Sequence, residues 1–437
     1  MANIILTNLC NIKCPFCFAS ENNELNLTFF DPLKSWKISS FISSKEFRFC
    51  GGEPTLTPNI KEITEAILDS GRNIFIMTNG IWPESFHNFI KTIPVKYQNR
   101  ISYLFNLLHP SFYKESDLNK ILSNLDIVNP LLITLGLTIY KDDFEYQYLL
   151  DLAKEFRIKR LRWSVAAPNI SNNVELLEPY FYKISERICE MYELCNKMDI
   201  LITNDCNYIQ PCYFRQQQLT KVLIKNNVKF SCSAFSPVDI GPDGKAWRCY
   251  GLYSILQKDI AHFADEMQLE RYFTRRVRLL DNMHAYKECK DCTYWRNGCD
   301  GGCFVYRIKK AFKQNPLINL FPIDDDNLIL KCKPYKSIYV ILKEDGELQK
   351  LYFRNELVVK EDENTFAFLK IVDGNYSIKD LIELWKNNFP SYKEAAETII
   401  EKCRELFEKE YILIKYDYGI EPEEIPKVCN LPESYMN

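Results

Sequence analysis

An α/β protein built on a parallel sheet is predicted by three observations. Short apolar runs alternate with amphipathic stretches from residue 3 to about 200, the runs end in loops that carry chemistry, and the pattern changes near residues 201 and 333. Six runs read as strands: Asn3–Thr7, Glu46–Cys50, Asn73–Thr78, Ile101–Asn106, Leu131–Thr138 and Lys159–Val165. Between them, Ile60–Asp69, Leu118–Leu125 and Phe144–Phe156 place apolar residues at helical spacing. Alternating units of this kind form a parallel sheet with right-handed crossovers. Six units fall short of the eight that close a full barrel, and sites in such sheets gather at the carboxyl ends of the strands.

Length and composition narrow the class. A chain of 437 residues exceeds one ordinary core, so two or three domains are expected. The hydrophobic fraction of 46% is that of a globular protein, and a net charge of −3 gives no general drive toward nucleic acid or anionic membrane. The strongest apolar run, Leu131 to Ile139, is about half the length a bilayer requires. Neither a nucleic-acid nor a membrane partner is therefore expected. The first cysteine stands at residue 10, which leaves no room before it for a cleavable signal peptide. Seventeen cysteines would suggest disulfides in a secreted protein, but the number is odd and the chain is large. A reducing cytoplasm, where grouped thiols usually bind metal, is the expected compartment.

Three cysteines follow the first strand in the loop Thr7-Asn8-Leu9-Cys10-Asn11-Ile12-Lys13-Cys14-Pro15-Phe16-Cys17. Three thiolates at this spacing can hold three corners of a 4Fe–4S cube, which usually takes four. The remaining iron is then open to chemistry. A zinc knuckle or a buried trio of thiols is the alternative. The second strand ends in Gly51-Gly52-Glu53-Pro54, thirty-odd residues after the triad. Two glycines let backbone come close to a bound amino acid, and Glu53 offers a carboxylate to its cationic amino group.

With these two motifs, and Phe16 before the third cysteine, the chain resembles the radical S-adenosylmethionine (SAM) superfamily. The resemblance implies a partial (β/α)6 TIM-like barrel and a cluster whose open iron is chelated by the amino and carboxylate groups of SAM. It also implies reductive cleavage of SAM to a deoxyadenosyl radical that abstracts hydrogen from substrate, with the electron supplied by a flavodoxin or ferredoxin-type donor. Gly51, Gly52, Glu53 and Pro54 would contact the methionine part. Asn79 and Gly80, after the third strand, would lie near the ribose or adenine. Asn106 ends the fourth strand, and Arg162 on the sixth has the forked geometry that binds a carboxylate. A turn residue and a surface charge are the plainer readings of these two. Cys50 reads as a small strand-end side chain.

A second cysteine set follows. Cys232 precedes Gly244 and, four residues on, Cys249; then come Cys289-x2-Cys292, six residues, Cys299-x3-Cys303, and Cys332. This resembles the SPASM domain, which holds two auxiliary 4Fe–4S clusters, although five residues usually separate the positions of Cys292 and Cys299. Carried over, Cys232, Cys249 and Cys303 would bind the first auxiliary cluster, with Cys212 or Cys206 completing it. Cys289, Cys292, Cys299 and Cys332 would bind the second. Zinc is the rival, since Cys-x2-Cys pairs also make zinc ribbons. Cys189, Cys195, Cys403 and Cys429 read as packing thiols, and His87, His109, His262 and His284 form no ligand pair.

From residue 333 a third pattern begins. Ser337–Leu342 and Leu348–Phe353 flank an Asp345-Gly346 hairpin signal, Glu356–Lys360 adds a strand, and helices follow near Thr365–Val372, Ile378–Phe389 and Tyr392–Lys409, the last with a capping box at Ser391 and Glu394. Asp324-Asp325-Asp326 reads as a solvated turn. The module is similar to the winged-helix peptide-recognition element of the pyrroloquinoline quinone precursor chaperone type, in which a leader peptide adds a strand to a sheet edge. From 331 to 437 there are 16 Lys plus Arg and 21 Asp plus Glu, a net of −5, which speaks for a peptide rather than DNA.

The expected organisation is a radical SAM partial barrel over 1–200, a SPASM domain over 201–332 and a winged-helix module over 333–437, with one SAM-binding and two auxiliary 4Fe–4S clusters. The expected activity is modification of a ribosomally made precursor peptide that carries a leader, giving a thioether, another crosslink or an epimerised centre. The alternatives are formylglycine formation on a folded protein, as in anaerobic sulfatase maturation, and a noncatalytic iron–sulfur carrier or scaffold.

Overall fold

Strand β1, Ala2–Thr7, is buried along its whole length and is paired on both sides. A strand covered on both faces in a parallel sheet reads as an unbroken apolar run, and Ile4-Ile5-Leu6 supplies it. The computed structural model describes residues 2–17, 19, 40–167, 177–205, 209–215, 217–219, 230, 232, 237–284, 286–295, 299–345, 348–358 and 363–424. Cys206, Gly346 and Cys429 lie outside the described residues.

From β1 the sheet runs through β2 (Glu46–Gly51), β3 (Asn73–Thr78), β4 (Ile101–Asn106), β5 (Ile133–Ile139), β6 (Arg160–Val165) and β7 (Leu201–Asn204), every neighbour parallel. On the other side of β1 lie β8 (Val238–Ile240), parallel, then β9 (Lys245–Trp247) and β10 (Gln257–Asp259), antiparallel. The fold is thus mixed α/β with a large parallel sheet. The six expected strands agree with the observed ones to within two residues. The sheet nevertheless has ten strands, because β7 to β10 are only three or four residues long and leave no periodicity to read.

The crossovers include α1 (Ile60–Asp69), α2 (Glu84–Thr92), α3 (Glu115–Asp126) and α4 (Gln147–Glu155), and α5 (Phe181–Lys197) precedes β7. Each turns an apolar stripe inward: Ile60, Ile63 and Ile67 on α1, and Ile184, Ile188, Met191 and Cys195 on α5.

The chain divides into two compact units. The first comprises residues 1–270, 285–309 and 423–437 and contains the whole ten-stranded sheet; the second comprises 271–284 and 310–422. In the second unit, β11 (Lys333–Lys336) pairs with β15 (Ile412–Lys415), and β12 (Val340–Asp345), β13 (Leu348–Phe353) and β14 (Glu356–Val358) form an antiparallel sheet. Helices α6 (Glu363–Ile371), α7 (Ile378–Trp385) and α8 (Tyr392–Glu408) close its core with Phe368, Leu381, Ile382, Ile399 and Leu406. Ser391 caps α8 by accepting from the Glu394 amide at 3.2 Å, and a reciprocal capping box joins Ser377 to Asp380 on α7. The acidic triplet is not merely a solvated turn: Asp324 binds Arg276 at 2.7 and 2.9 Å, and Asp326 binds Arg404 at 2.7 Å. Among the described residues, no helix is long and apolar enough to cross a membrane.

Candidate active site

The loops after β1, β2 and β3 meet at one rim of the sheet, held by backbone hydrogen bonds. The Gly52 amide donates to the Thr7 carbonyl and the Glu53 amide to the Leu9 carbonyl, both at 2.8 Å. A Cβ at Gly51 would lie 2.2 Å from the Thr7 carbonyl oxygen, and one at Gly52 2.2 Å from that of Leu9. The two glycines are therefore required by the backbone that carries the cysteines. Sequence reasoning attributes them to ligand approach; the structure gives them this nearer cause.

Glu53 is fully buried. Its Oε1 accepts from the Thr55 amide (3.2 Å), the Thr55 hydroxyl (2.6 Å) and the Thr78 hydroxyl (2.9 Å), and Oε2 accepts from the Asn79 amide (2.7 Å). Burial raises its carboxyl above the usual range, and these donors oppose the rise. The carboxylate thus ties the end of β3 to the turn after β2. Asn79 continues the chain of bonds: its Nδ2 donates to Asn11 Oδ1 at 2.7 Å and to Cys10 Sγ at 3.8 Å, and its Oδ1 accepts from the Ile81 amide at 2.8 Å. Gly80 adopts φ +83°, a left-handed turn that glycine makes without strain.

Cys10, Cys14 and Cys17 come together here. Burial and then the charges of Cys17, Cys10 and Glu53 push the Cys14 thiol up to about 12; Cys10 is raised chiefly by burial, with Glu53 and Cys17 adding to it. The Cys17 amide donates to the Cys14 carbonyl at 3.2 Å. Phe16 packs against Tyr140 with ring centroids 5.1 Å apart, and Phe112 meets Tyr140 at 6.4 Å, so aromatic rings stand beside the thiols. The donor set is three soft thiols with the one nearby carboxylate already committed, which suits an iron–sulfur cluster. Among the described residues, no three His, Cys, Asp or Glu side chains are drawn tightly enough to hold a single metal ion.

Two other candidates have protein partners. Arg162 forms an ion pair with Asp205, which sequence reasoning did not identify. Asn106 lies over β5, its Oδ1 occupying the space that a Cβ at Gly136 would need. The Cys50 thiol faces the Ile4 carbonyl at 3.7 Å and packs beside Ile5, Trp247 and Tyr250.

The later cysteines fall into two neighbourhoods and an outlier. Cys232 hydrogen-bonds Cys303, and the Cys249 thiol feels the charge of Cys232. Cys289, Cys292 and Cys299 form the second group; the Cys292 amide donates to the Cys289 carbonyl at 3.4 Å, and the Gly301 amide to Cys299 Sγ at 3.3 Å. Cys212 lies near this second group rather than the first: burial raises its thiol most, followed by the charges of Cys299, Cys289 and Cys292. Cys332 is placed in the apolar core of the second unit, its thiol directed at the Leu328 carbonyl at 3.8 Å. The resemblance groups Cys232 with Cys249 and Cys303, and Cys289 with Cys292 and Cys299, in the same way; the structure departs from it over Cys212 and Cys332.

Residues 4–110 match the family model described as the Radical SAM superfamily. A probable GTP 3',8-cyclase of Methanocaldococcus jannaschii is 30% identical over 26% of this chain and 38% of its own length. A GTP 3',8-cyclase of Alkaliphilus oremlandii is 29% identical over 32% and 44%, and a 7-carboxy-7-deazaguanine synthase of Haemophilus influenzae is 33% identical over 16% and 33%. The chain therefore spans less than half the length of these curated relatives. Among solved structures, Streptococcus suis SuiB bound to S-adenosylmethionine aligns over 70% of this chain and 73% of its own, with 16% identity and a TM-score of 0.50, a likeness of fold.

Proposed function

With a radical SAM match over residues 4–110, we propose that the protein is a radical SAM enzyme that modifies a residue of a ribosomally made precursor peptide. The observation that carries the first part is the convergence of Cys10, Cys14 and Cys17 at a rim tied to the Gly51–Glu53 turn. Those three thiols would hold a 4Fe–4S cluster, which supplies the electron that cleaves bound SAM into a hydrogen-abstracting radical.

The chain's own residues do the positioning. Glu53 fixes the Asn79 amide, and Asn79 donates to Cys10 Sγ, a bond that favours the thiolate. Phe16 in the loop packs on Tyr140, which also meets Phe112, so the loop is anchored to an aromatic cluster. The two glycines set the distance between the cysteine loop and the β2 turn.

The peptide part rests on the second unit. Its three-stranded sheet has two strand edges, β12 and β14, and exposes Ile341 (42%) and Leu357 (49%), with Ile338 and Tyr339 beside them. Exposed apolar side chains at a sheet edge suit an added peptide strand. The curated relatives are named for nucleotide chemistry, but the regions matched cover under half of each.

Anaerobic reconstitution with iron and sulfide, then SAM and a reductant, tests the first part. Wild type should yield 5'-deoxyadenosine and the Cys10→Ala, Cys14→Ala, Cys17→Ala triple variant none. Co-expression with short peptides encoded beside the gene, read by mass spectrometry, tests the second. SAM cleavage with every peptide mass unchanged would refute the peptide reading and leave the enzyme reading standing.

A further inference from the structure

We propose that Cys212, with Cys289, Cys292 and Cys299, completes a four-thiolate site for an iron–sulfur cluster, in place of the Cys332 that the spacing of the carboxyl-terminal cysteines suggests. The inference rests on the reading of the later cysteines as cluster ligands.

The geometry starts from the short helical turn Pro211–Tyr213, which is fastened on both sides of Cys212 to the loop that carries the other three thiols. On one flank, Gln210 Nε2 donates to the Gly301 carbonyl at 3.2 Å. A Cβ at Gly302 would lie 1.9 Å from that nitrogen, so the glycine makes room for the clamp. On the other flank, the Tyr213 hydroxyl donates to the Tyr286 hydroxyl at 3.1 Å, and both rings are fully buried. The Tyr213 carbonyl also accepts from the Ser185 hydroxyl on α5 at 2.8 Å. The turn is thereby pinned to helix, loop and glycine together.

Between the two clamps Cys212 keeps its exposure to solvent, while the neighbouring protein still raises its thiol. Cys299, Cys289 and Cys292 are the thiols close enough to act on it, and Cys289 also acts on the Tyr213 hydroxyl. Four soft donors from two clamped segments match the usual ligand count of a 4Fe–4S cube. Cys332 has a different environment. It is wholly buried among Ile329, Ile378 and Leu381, with Cys403 the neighbouring thiol, and its own thiol faces a backbone carbonyl. That is the setting of a packing cysteine.

The test removes the amino-terminal site so that only the later iron is counted. Full-length chain carrying Cys10→Ala, Cys14→Ala and Cys17→Ala is reconstituted under argon and assayed for iron and sulfide, and by electron paramagnetic resonance after mild oxidation. Adding Cys212→Ala should lower the iron by about four per chain or leave a three-iron cluster signal. Cys212→Ser, which keeps an oxygen ligand at the same place, should restore part of the iron. Adding Cys332→Val should leave the iron unchanged. In parallel, alkylation followed by peptide mapping should show Cys212 protected in reconstituted chain and labelled in metal-free chain. Iron lost with Cys332→Val but kept with Cys212→Ala would overturn the assignment. A triple variant that takes up no iron at all would overturn the cluster reading itself, and the assignment with it.

Discussion

The rim of the first unit and the core of the second are held together in opposite ways. At the rim, single atoms decide: two glycine positions stand 2.2 Å from backbone carbonyls, and one carboxylate accepts four hydrogen bonds. In the second unit, stability is spread over many apolar contacts among Phe368, Leu381, Ile399, Leu406 and their neighbours, with arginine pairs at the margin. A site assembled atom by atom should fail all at once, whereas a distributed core should lose stability in increments.

The sharpest way to break this contrast is Gly52→Ala. The new methyl meets the Leu9 carbonyl oxygen at 2.2 Å, its carbon at 2.5 Å and the Asn8 oxygen at 2.7 Å, all backbone that cannot rotate away. The cysteine loop must move, and a displacement of about 1 Å at a reacting centre lowers the rate about a hundredfold. Deoxyadenosine formation should fall by that much or more. Gly71→Ala is the control, since a Cβ there meets nothing within 4 Å and its φ of +85° imposes only local strain. Equal activity of the two variants would remove the distinction between rim and surface.

How much of this was legible in the sequence follows from the same contrast. The six central strands and the first cysteine loop could be read because their determinants are local: apolar runs, a seven-residue thiol spacing and a glycine pair. The destination of Glu53 could not, because it accepts from Thr78 and Asn79, 25 and 26 residues away. Arg162 met its partner Asp205 only across β6 and β7, the second of which is too short to show a pattern. The grouping of Cys212 with Cys289, Cys292 and Cys299 depends on two clamps that span 73 and 91 residues. In the second unit the helices were evident from their periodicity, but β11 was missed because a four-residue strand containing Pro334 gives no strand signal, and its partner β15 is only four residues long.

A buried carboxyl elsewhere in the first unit sharpens the comparison by its pH dependence. Asp239 on β8 accepts from Asn3 Nδ2 at 2.8 Å, and burial holds its carboxyl up to about 7 against that donor. A raised carboxyl keeps its proton in the folded chain where the unfolded chain, near 3.9, has lost it. The folded state is therefore favoured at low pH and loses this contribution as pH rises from about 4 to 7, by about 4 kcal/mol across the window. Urea melts of wild type and Asp239→Asn at several pH values should diverge, with the variant gaining relative to wild type as pH rises. Parallel curves would show that Asp239 ionises as freely in the fold as outside it.

The increments of the second unit are smaller. Arg276, about 6% exposed, reaches Asp324 and Glu408 and lies 3.6 Å over the Tyr272 ring. Both carboxylates are about 40% exposed, so solvent weakens the pairs. Arg276→Ala should lower stability by about 1–3 kcal/mol, part of it from lost packing, as measured by thermal melting.

The smallest expected effect lies at the start of α8. Ser391 holds an extended backbone, φ −146°, and its hydroxyl accepts from the Glu394 amide at 3.2 Å, satisfying one of the donors that a helix start leaves unpaired. Alanine keeps the backbone conformation accessible but removes the acceptor, and that amide turns to water. The loss should be about 1 kcal/mol. The helix also buries Ala395, Ile399, Cys403 and Leu406, so packing holds it in place when the cap is gone. Ser391→Asp should recover the loss, since a carboxylate accepts the same bond and meets the positive end of the helix dipole. A shift in melting several times larger than this, with no recovery by aspartate, would mean that the second unit also depends on single atoms.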